Sequence, residues 1–266
     1  MPQALHVHFL PTSLDPETLR GGTAVIIDIL RASSTMITSL RNGATRVIPC
    51  ATPAEATLIR QRAAPGTVVL GGERGGVKIA GFDFGNSPAE YSSAAIGGRT
   101  LAFTTTNGTK ALLTALAARE IIIGAFLNRQ AVIACLNRED SGTHLICAGT
   151  DGIITGEDVL FAGSVVDGLL TSAGPSSCDQ WTLNDGAHIA RGYWRQCTSD
   201  PAAADSSAWI EKALLSARID EAMRHSRGGL NLLSLGYQSD ITLCSQLDTT
   251  DVIPRYHRED GSLLSA

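Results

Sequence analysis

The chain has 266 residues, is 44% hydrophobic and 5% aromatic, and carries a formal net charge of −5. That length suits one large α/β domain or two smaller ones. An acidic chain with no basic run excludes an electrostatic nucleic-acid surface, and no apolar stretch is long enough to cross a bilayer. Lysine occurs only at Lys78, Lys110 and Lys212, so arginine carries most of the positive charge. Arginine suits bidentate contacts to anions.

Strand-like and helix-like segments alternate over the first two thirds of the chain. Strands are predicted at 5–9, 23–30, 45–49, 67–71, 100–104, 120–124 and 143–148, with amphipathic helices at 33–42, 53–63, 107–118 and 127–138. This alternation predicts a layered α/β/α fold with a mostly parallel or mixed sheet. Residues just after strands then carry most functional weight, because such folds bind ligands at the carboxyl ends of strands. Further helices are predicted at 157–171, 182–195 and 206–226, and short strands near 240–245 and 251–254. The small, polar stretch 173–180 reads as a loop and 199–206 as an exposed linker. The stretch 256–266 reads as a polar tail, and a boundary between two subdomains is weighed near 125–150.

In chain order, the first strand places His6 and His8 on one face. Such a pair can bind a metal, but the sequence offers no third ligand nearby. The run Val25-Ile26-Ile27-Asp28 then places a carboxylate in an apolar strand, a costly position unless it meets a cation or hydrogen-bond donors. Arg31, Ser33 and Ser34 follow where a helix starts, a position that favours an oxyanion. Asp28 is a candidate metal ligand, base or nucleophile, with Arg31 clamping an anion; the structural alternative is an internal ion pair between them.

The loop Gly71-Gly72-Glu73-Arg74-Gly75-Gly76 gives an acid and a base among glycines that let backbone amides approach a ligand. Asp83, Asn86 and Ser87 lie in Gly81-Phe82-Asp83-Phe84-Gly85-Asn86-Ser87-Pro88, where helix capping explains Asn86 and Ser87 equally well. A second strand end runs into Thr105, Thr106 and Asn107, repeating the oxyanion pattern. After the strand at 143–148 come Thr150 and then Glu157-Asp158, which either complement a helix start or help hold Mg²⁺. Walker, dinucleotide-binding and nucleophile-elbow patterns are absent. Leu30 stands where haloacid-dehalogenase-type phosphatases carry their second Asp.

None of the six cysteines forms a Cys-x-x-Cys pair, which argues against a thiolate zinc site. Cys50, Cys135 and Cys147 read as reduced core residues, whereas Cys178 and Cys197 would bridge only in an oxidising compartment. No basic region followed by an apolar segment opens the sequence, so the cytoplasm is the expected location.

Taken in order, Val25 to Ala32, Gly71 to Gly76, Gly81 to Pro88, Thr104 to Thr109, Glu157-Asp158 with Ala162-Gly163, Gly228-Gly229-Leu230, Gly236, Asp240 and Pro254 resemble the 2-phosphosulfolactate phosphatase (ComB) family from about residue 5 to 255. The resemblance implies a Mg²⁺-dependent phosphoric monoester hydrolase of that family's mixed α/β fold, forming a homodimer. Its substrate would be a phosphorylated, sulfonated small molecule, 2-phospho-3-sulfolactate, cleaved to 3-sulfolactate and phosphate in coenzyme M biosynthesis or sulfolactate metabolism. On that basis Mg²⁺ would be held by Asp28 with Glu73, Glu157 or Asp158. Arg31, Arg74 and the hydroxyls and amides of Ser33, Ser34, Asn86, Ser87, Thr105, Thr106, Asn107 and Thr150 would hold the anionic groups, and Asp83 would be a general acid or base. Two competing expectations are a metal-dependent phosphatase for another phosphorylated small acid and a non-catalytic anion-binding protein.

Overall fold

The structure, a computed structural model, describes residues 2–172, 180–199 and 208–265. It begins with β1 (Gln3–His8), β2 (Thr23–Ile27), α1 (Ala32–Arg41), β3 (Arg46–Pro49), α2 (Pro53–Arg62), β4 (Val68–Arg74) and β5 (Val77–Lys78). There follow α3 (Ser93–Ile96), β6 (Thr100–Thr104), α4 (Gly108–Thr114), β7 (Glu120–Gly124), α5 (Arg129–Leu136) and β8 (Thr143–Cys147). The chain continues through α6 (Gly156–Thr171), β9 (Trp181–Leu183), α7 (Asp185–Thr198), α8 (Ala208–Arg224), α9 (Arg227–Ser234) and α10 (Gln238–Cys244). It closes with β10 (Pro254–His257) and β11 (Ser262–Ser265).

These strands form one mixed sheet in the order β5-β4-β6-β3-β11-β10-β7-β2-β8-β1-β9. Two blocks are internally parallel: β4-β6-β3, and β7-β2-β8-β1-β9. All five residues of β2 are buried between β7 and β8, which is why Ala24 to Ile27 form a continuous apolar run rather than alternating. The β10–β11 hairpin joins the blocks through antiparallel contacts to β7 and β3. The polar stretch 256–266 therefore supplies central strands. Its few apolar residues, notably the fully buried Leu263, are enough to seat it in the sheet.

Helix α6 packs on β8 and β2 and is buried almost all round. A Cβ at Gly163 would overlap the Ala190 carbonyl oxygen, so glycine there permits the close approach of α7. Phe126, Phe161 and Trp194 fill the space beneath these helices. The N-terminus of α7 is held by Asn184, whose side chain accepts from Ala187 N at 2.9 Å and also from Val7 N in β1 at 3.0 Å.

The stretch 240–245, predicted as a strand, belongs to α10. Its Ile241 and Cys244 are both buried at helical spacing, and Asp240 occupies the first turn. The expected loop at 173–180 and linker at 199–206 fall almost wholly outside the described residues, as does Cys178 of the weighed Cys178–Cys197 pair. Cys50, Cys135 and Cys147 are free and buried, as expected for core thiols.

Candidate active site

Asp28 emerges at the carboxyl end of β2 and is 9% exposed. Its Oδ1 accepts from Ala32 N at 3.4 Å, its backbone N–H donates to Ser33 Oγ at 2.9 Å, and its carbonyl accepts from Ser33 N at 2.8 Å. Gly108 N–H, at the start of α4, also donates to its carboxylate. Asp28 thus closes the N-termini of α1 and α4 with its own charge, and the α1 start offered to an anion by the sequence is already filled. Burial and the nearby Glu73 and Glu157 carboxylates outweigh these donors and push its carboxyl up to about 7.

Three further acids surround it. Asp158 accepts from Ile29 N at 2.9 Å and Gly149 N at 3.0 Å, tying the ends of β2 and β8 together from α6. Burial, Glu157 and Asp28 raise its carboxyl well above the usual range. Glu73 accepts from Thr106 N at 2.8 Å and Gly76 N at 2.7 Å, so it pins the loop after β6 to the turn after β4. Glu157 is 2% exposed, and burial pushes its carboxyl up although Ser226 and Gly228 N–H act in the opposite sense. Its Oε2 has no hydrogen-bond partner. A Cβ at Gly228 would overlap Glu157 Oε1, so the backbone of α9 lies directly on this carboxylate.

Arg31 is buried and held from three sides. Its Nη1 meets Asp240 Oδ2 at 2.7 Å, its Nη2 donates to the Gly76 carbonyl at 2.8 Å, and its guanidinium lies 4.3 Å from the Tyr237 ring centre. Ser87 Oγ donates to the second Asp240 oxygen at 2.6 Å. Arg31 therefore pairs with Asp240 in α10 and not with Asp28, which leaves the acid cluster without a paired side-chain cation from that quarter.

The space between these groups is a cavity of about 620 Å³. Asp28, Arg31, Glu73, Asn86, Thr106, Asn107 and Thr150 of the sequence-derived set line it. The Oδ1 of Asn86 is buried without a partner. Glu157 and Asp158 lie behind Asp28 rather than on the cavity wall.

The other candidates serve the scaffold in this arrangement. Ser33 is spent on Asp28 and on the Ile26 carbonyl, Ser34 donates to the Ile29 carbonyl at 3.0 Å, and Thr105 pairs with Thr109. Arg74 turns away to the Glu73 carbonyl and Thr104 Oγ1. Asp83 accepts from Arg60 at 2.9 Å and Leu70 N at 2.8 Å, outside the cavity.

Arg227 and Asn231 of α9, with Asp151, also line the cavity and were not among the candidates drawn from the sequence. Arg227 stands 3.9 Å from Asp151, so its charge is only loosely committed. The signal for α9 was present as Ser226 followed by two glycines: Ser226 Oγ caps the helix by accepting from Gly229 N at 3.1 Å.

The acids do not form a closed cage. Among the described residues, no three carboxylates bring donor oxygens within 4.8 Å of one another. This donor set fits Mg²⁺ nonetheless, because that ion takes one or two carboxylates, keeps several waters and shares substrate phosphate oxygens. Asp28 and Glu157 are the pair that suits it: both are buried acids of raised pKa, and Glu157 has an unpartnered oxygen.

Strand ends that deliver a buried acid cluster and a fixed guanidinium to one cavity define a layered α/β protein with a candidate active site at the carboxyl edge of its sheet. The 2-phosphosulpholactate phosphatase family profile matches residues 8–217, and the chain belongs to that family. A probable 2-phosphosulfolactate phosphatase of Thermotoga maritima is 37% identical over 232 residues, covering 87% of this chain and 88% of that protein. Proteins of the same description from Symbiobacterium thermophilum and Deinococcus radiodurans are each 36% identical. Their matches cover 90% and 94% of this chain and 92% of each relative.

Proposed function

We propose that this cavity hydrolyses 2-phospho-3-sulfolactate to 3-sulfolactate and phosphate, with Mg²⁺ held by Asp28 and Glu157. The observation that carries this reading is the mismatch between substrate and site. A substrate bearing phosphate, sulfonate and carboxylate is strongly anionic, yet the cavity presents Asp28 and Glu73 with Glu157 and Asp158 behind them. Like charges repel strongly in a low-dielectric site. A divalent cation between the acids and the phosphate removes that conflict. When bound, Mg²⁺ would neutralise phosphoryl oxygens and orient water, the roles a metal plays in phosphoryl transfer.

The chain's own residues then divide as follows. Asp158 fixes the ends of β2 and β8 so that Asp28 is held at one place. Glu73 fixes the loop carrying Thr106 and Asn107. Arg31, anchored by Asp240, gives the wall a permanent positive charge that needs no reorganisation during reaction. Arg227, also on the wall and loosely paired with Asp151, would meet the sulfonate or carboxylate. Family membership and the relatives' names support the phosphatase activity; we extend it to a cytoplasmic homodimer acting in sulfolactate metabolism or coenzyme M biosynthesis. Among the described residues no helix is long and apolar enough to cross a membrane.

Phosphate release from 2-phospho-3-sulfolactate, with Mg²⁺ and with EDTA, tests the reading, alongside phospholactate and phosphoglycerate. Turnover confined to Mg²⁺ and strongest for the sulfonated ester is expected. Equal turnover in EDTA removes the metal from the reaction. A preference for an unsulfonated ester reassigns the substrate, and binding without phosphate release leaves an anion-binding protein.

A further inference from the structure

Three imidazoles lie together on the β1–β8 ladder. His6 and His144 are register partners across that ladder, and His8 follows two residues after His6 on the same face. Leu5 and Val7 point the other way into the core. One ring nitrogen from each histidine lies within 4.8 Å of the other two. His8 Nε2 and His144 Nδ1 are 3.1 Å apart. Ring centres are 5.1 Å apart for His6 and His144 and 5.4 Å for His8 and His144.

Two nitrogens bound to one zinc-class ion at 2.0–2.1 Å, at a tetrahedral angle, stand about 3.3 Å from each other. The His8–His144 spacing is close to that value, and His6 offers a third nitrogen within 4.8 Å of both. His144 is the third ligand that neighbouring sequence could not supply; parallel pairing of β1 with β8 brings it in from 136 residues away.

A purely structural role leaves much unexplained. Three imidazoles bring six ring nitrogens to one face, and one hydrogen bond joins the cluster, between His8 and His144.

We propose that His6, His8 and His144 form a second metal site, separate from the carboxylate cavity, for a borderline divalent ion such as Zn²⁺, Co²⁺ or Ni²⁺. An all-imidazole set disfavours Mg²⁺ and Ca²⁺, which take oxygen ligands. His6 and His8 are only half-buried, so a fourth position stays open to water or an exchangeable ligand. The ion would tie β1 to β8, the strand that leads to Thr150 at the cavity.

Untagged, EDTA-stripped protein titrated with Co²⁺ tests this by visible ligand-field absorption, and with Zn²⁺ by calorimetry. The expected result is one Co²⁺ per chain with the strong bands of a four-coordinate nitrogen site, resistant to excess Mg²⁺. His6→Ala, at a half-exposed position, should weaken binding by at least roughly tenfold. His8→Phe, which keeps a ring in place, should do the same, and Asp28→Asn should leave the bands unchanged. Circular dichroism confirms that each variant is folded. Absence of stoichiometric binding, or binding that survives both histidine substitutions, overturns the proposal; so does a signal abolished by Asp28→Asn alone.

Discussion

Replacing Asp28 with asparagine should stabilise this protein while disabling it. In the folded chain the Asp28 carboxyl is moved from 3.8 to about 7, first by burial and then by Glu73. Between those values the folded state binds the proton more tightly than the unfolded chain does. Stability of the metal-free protein therefore falls as pH rises through that window. Each tenfold difference in proton affinity between the two states is worth about 1.4 kcal/mol, so ionised Asp28 costs on the order of 4 kcal/mol above the folded pKa. From about pH 5 to about pH 8 the cost grows by on the order of 2–3 kcal/mol. For a domain of this size that is roughly 5–10 °C in melting temperature. Asp28→Asn keeps the shape and an acceptor for Ala32 N–H and removes the charge. Thermal melts of EDTA-treated wild type and variant at both pH values should show the variant's advantage widening toward alkaline pH, while phosphate release collapses. A gap that does not change with pH refutes the burial argument, and unchanged turnover removes Asp28 from the mechanism.

Two other substitutions probe the scaffold of the site. Asp240→Ala leaves the Arg31 guanidinium buried without its partner, so urea denaturation should show a loss of about 3–5 kcal/mol; a loss near zero would show that Gly76 and Tyr237 alone hold Arg31. Gly228→Ala drives a methyl into Glu157 Oε1 and should cut turnover by about 100-fold through misplacement of the acid. Circular dichroism should stay native, and full activity would mean that the position of Glu157 does not matter.

The alternation of strands and helices was legible because burial dictates composition locally. β2, β7 and β8 carry apolar runs (Ala24–Ile27, Ile121–Ile123, Leu145–Cys147) because they are covered on both faces, and that pattern needs no knowledge of neighbours. α10 and the β10–β11 hairpin were not legible, for a related reason. Asp240 to Cys244 alternates like a strand, and only packing against α8 and α9 selects the helical reading. The polar C-terminal stretch gains its strand partners β3 and β7 only once the rest of the sheet exists.

Within the cavity, the sequence by itself determined which residues end strands, and so placed Asp28, Glu73, Thr106, Asn107 and Thr150 in contention. It could not tell which of them face solvent-filled space and which are consumed by the fold. Asp83 and Arg74 carry the same chemistry as Asp28 and Arg31, yet the former pair with Arg60 and Thr104 outside the cavity. The partner of Arg31 lies 209 residues away in Asp240, and His144 joins His6 and His8 across 136 residues of chain. Hydrogen bonds and ion pairs act over a few ångströms of space regardless of separation along the backbone. Only the folded arrangement of strands decides which charges meet and which are left unpaired.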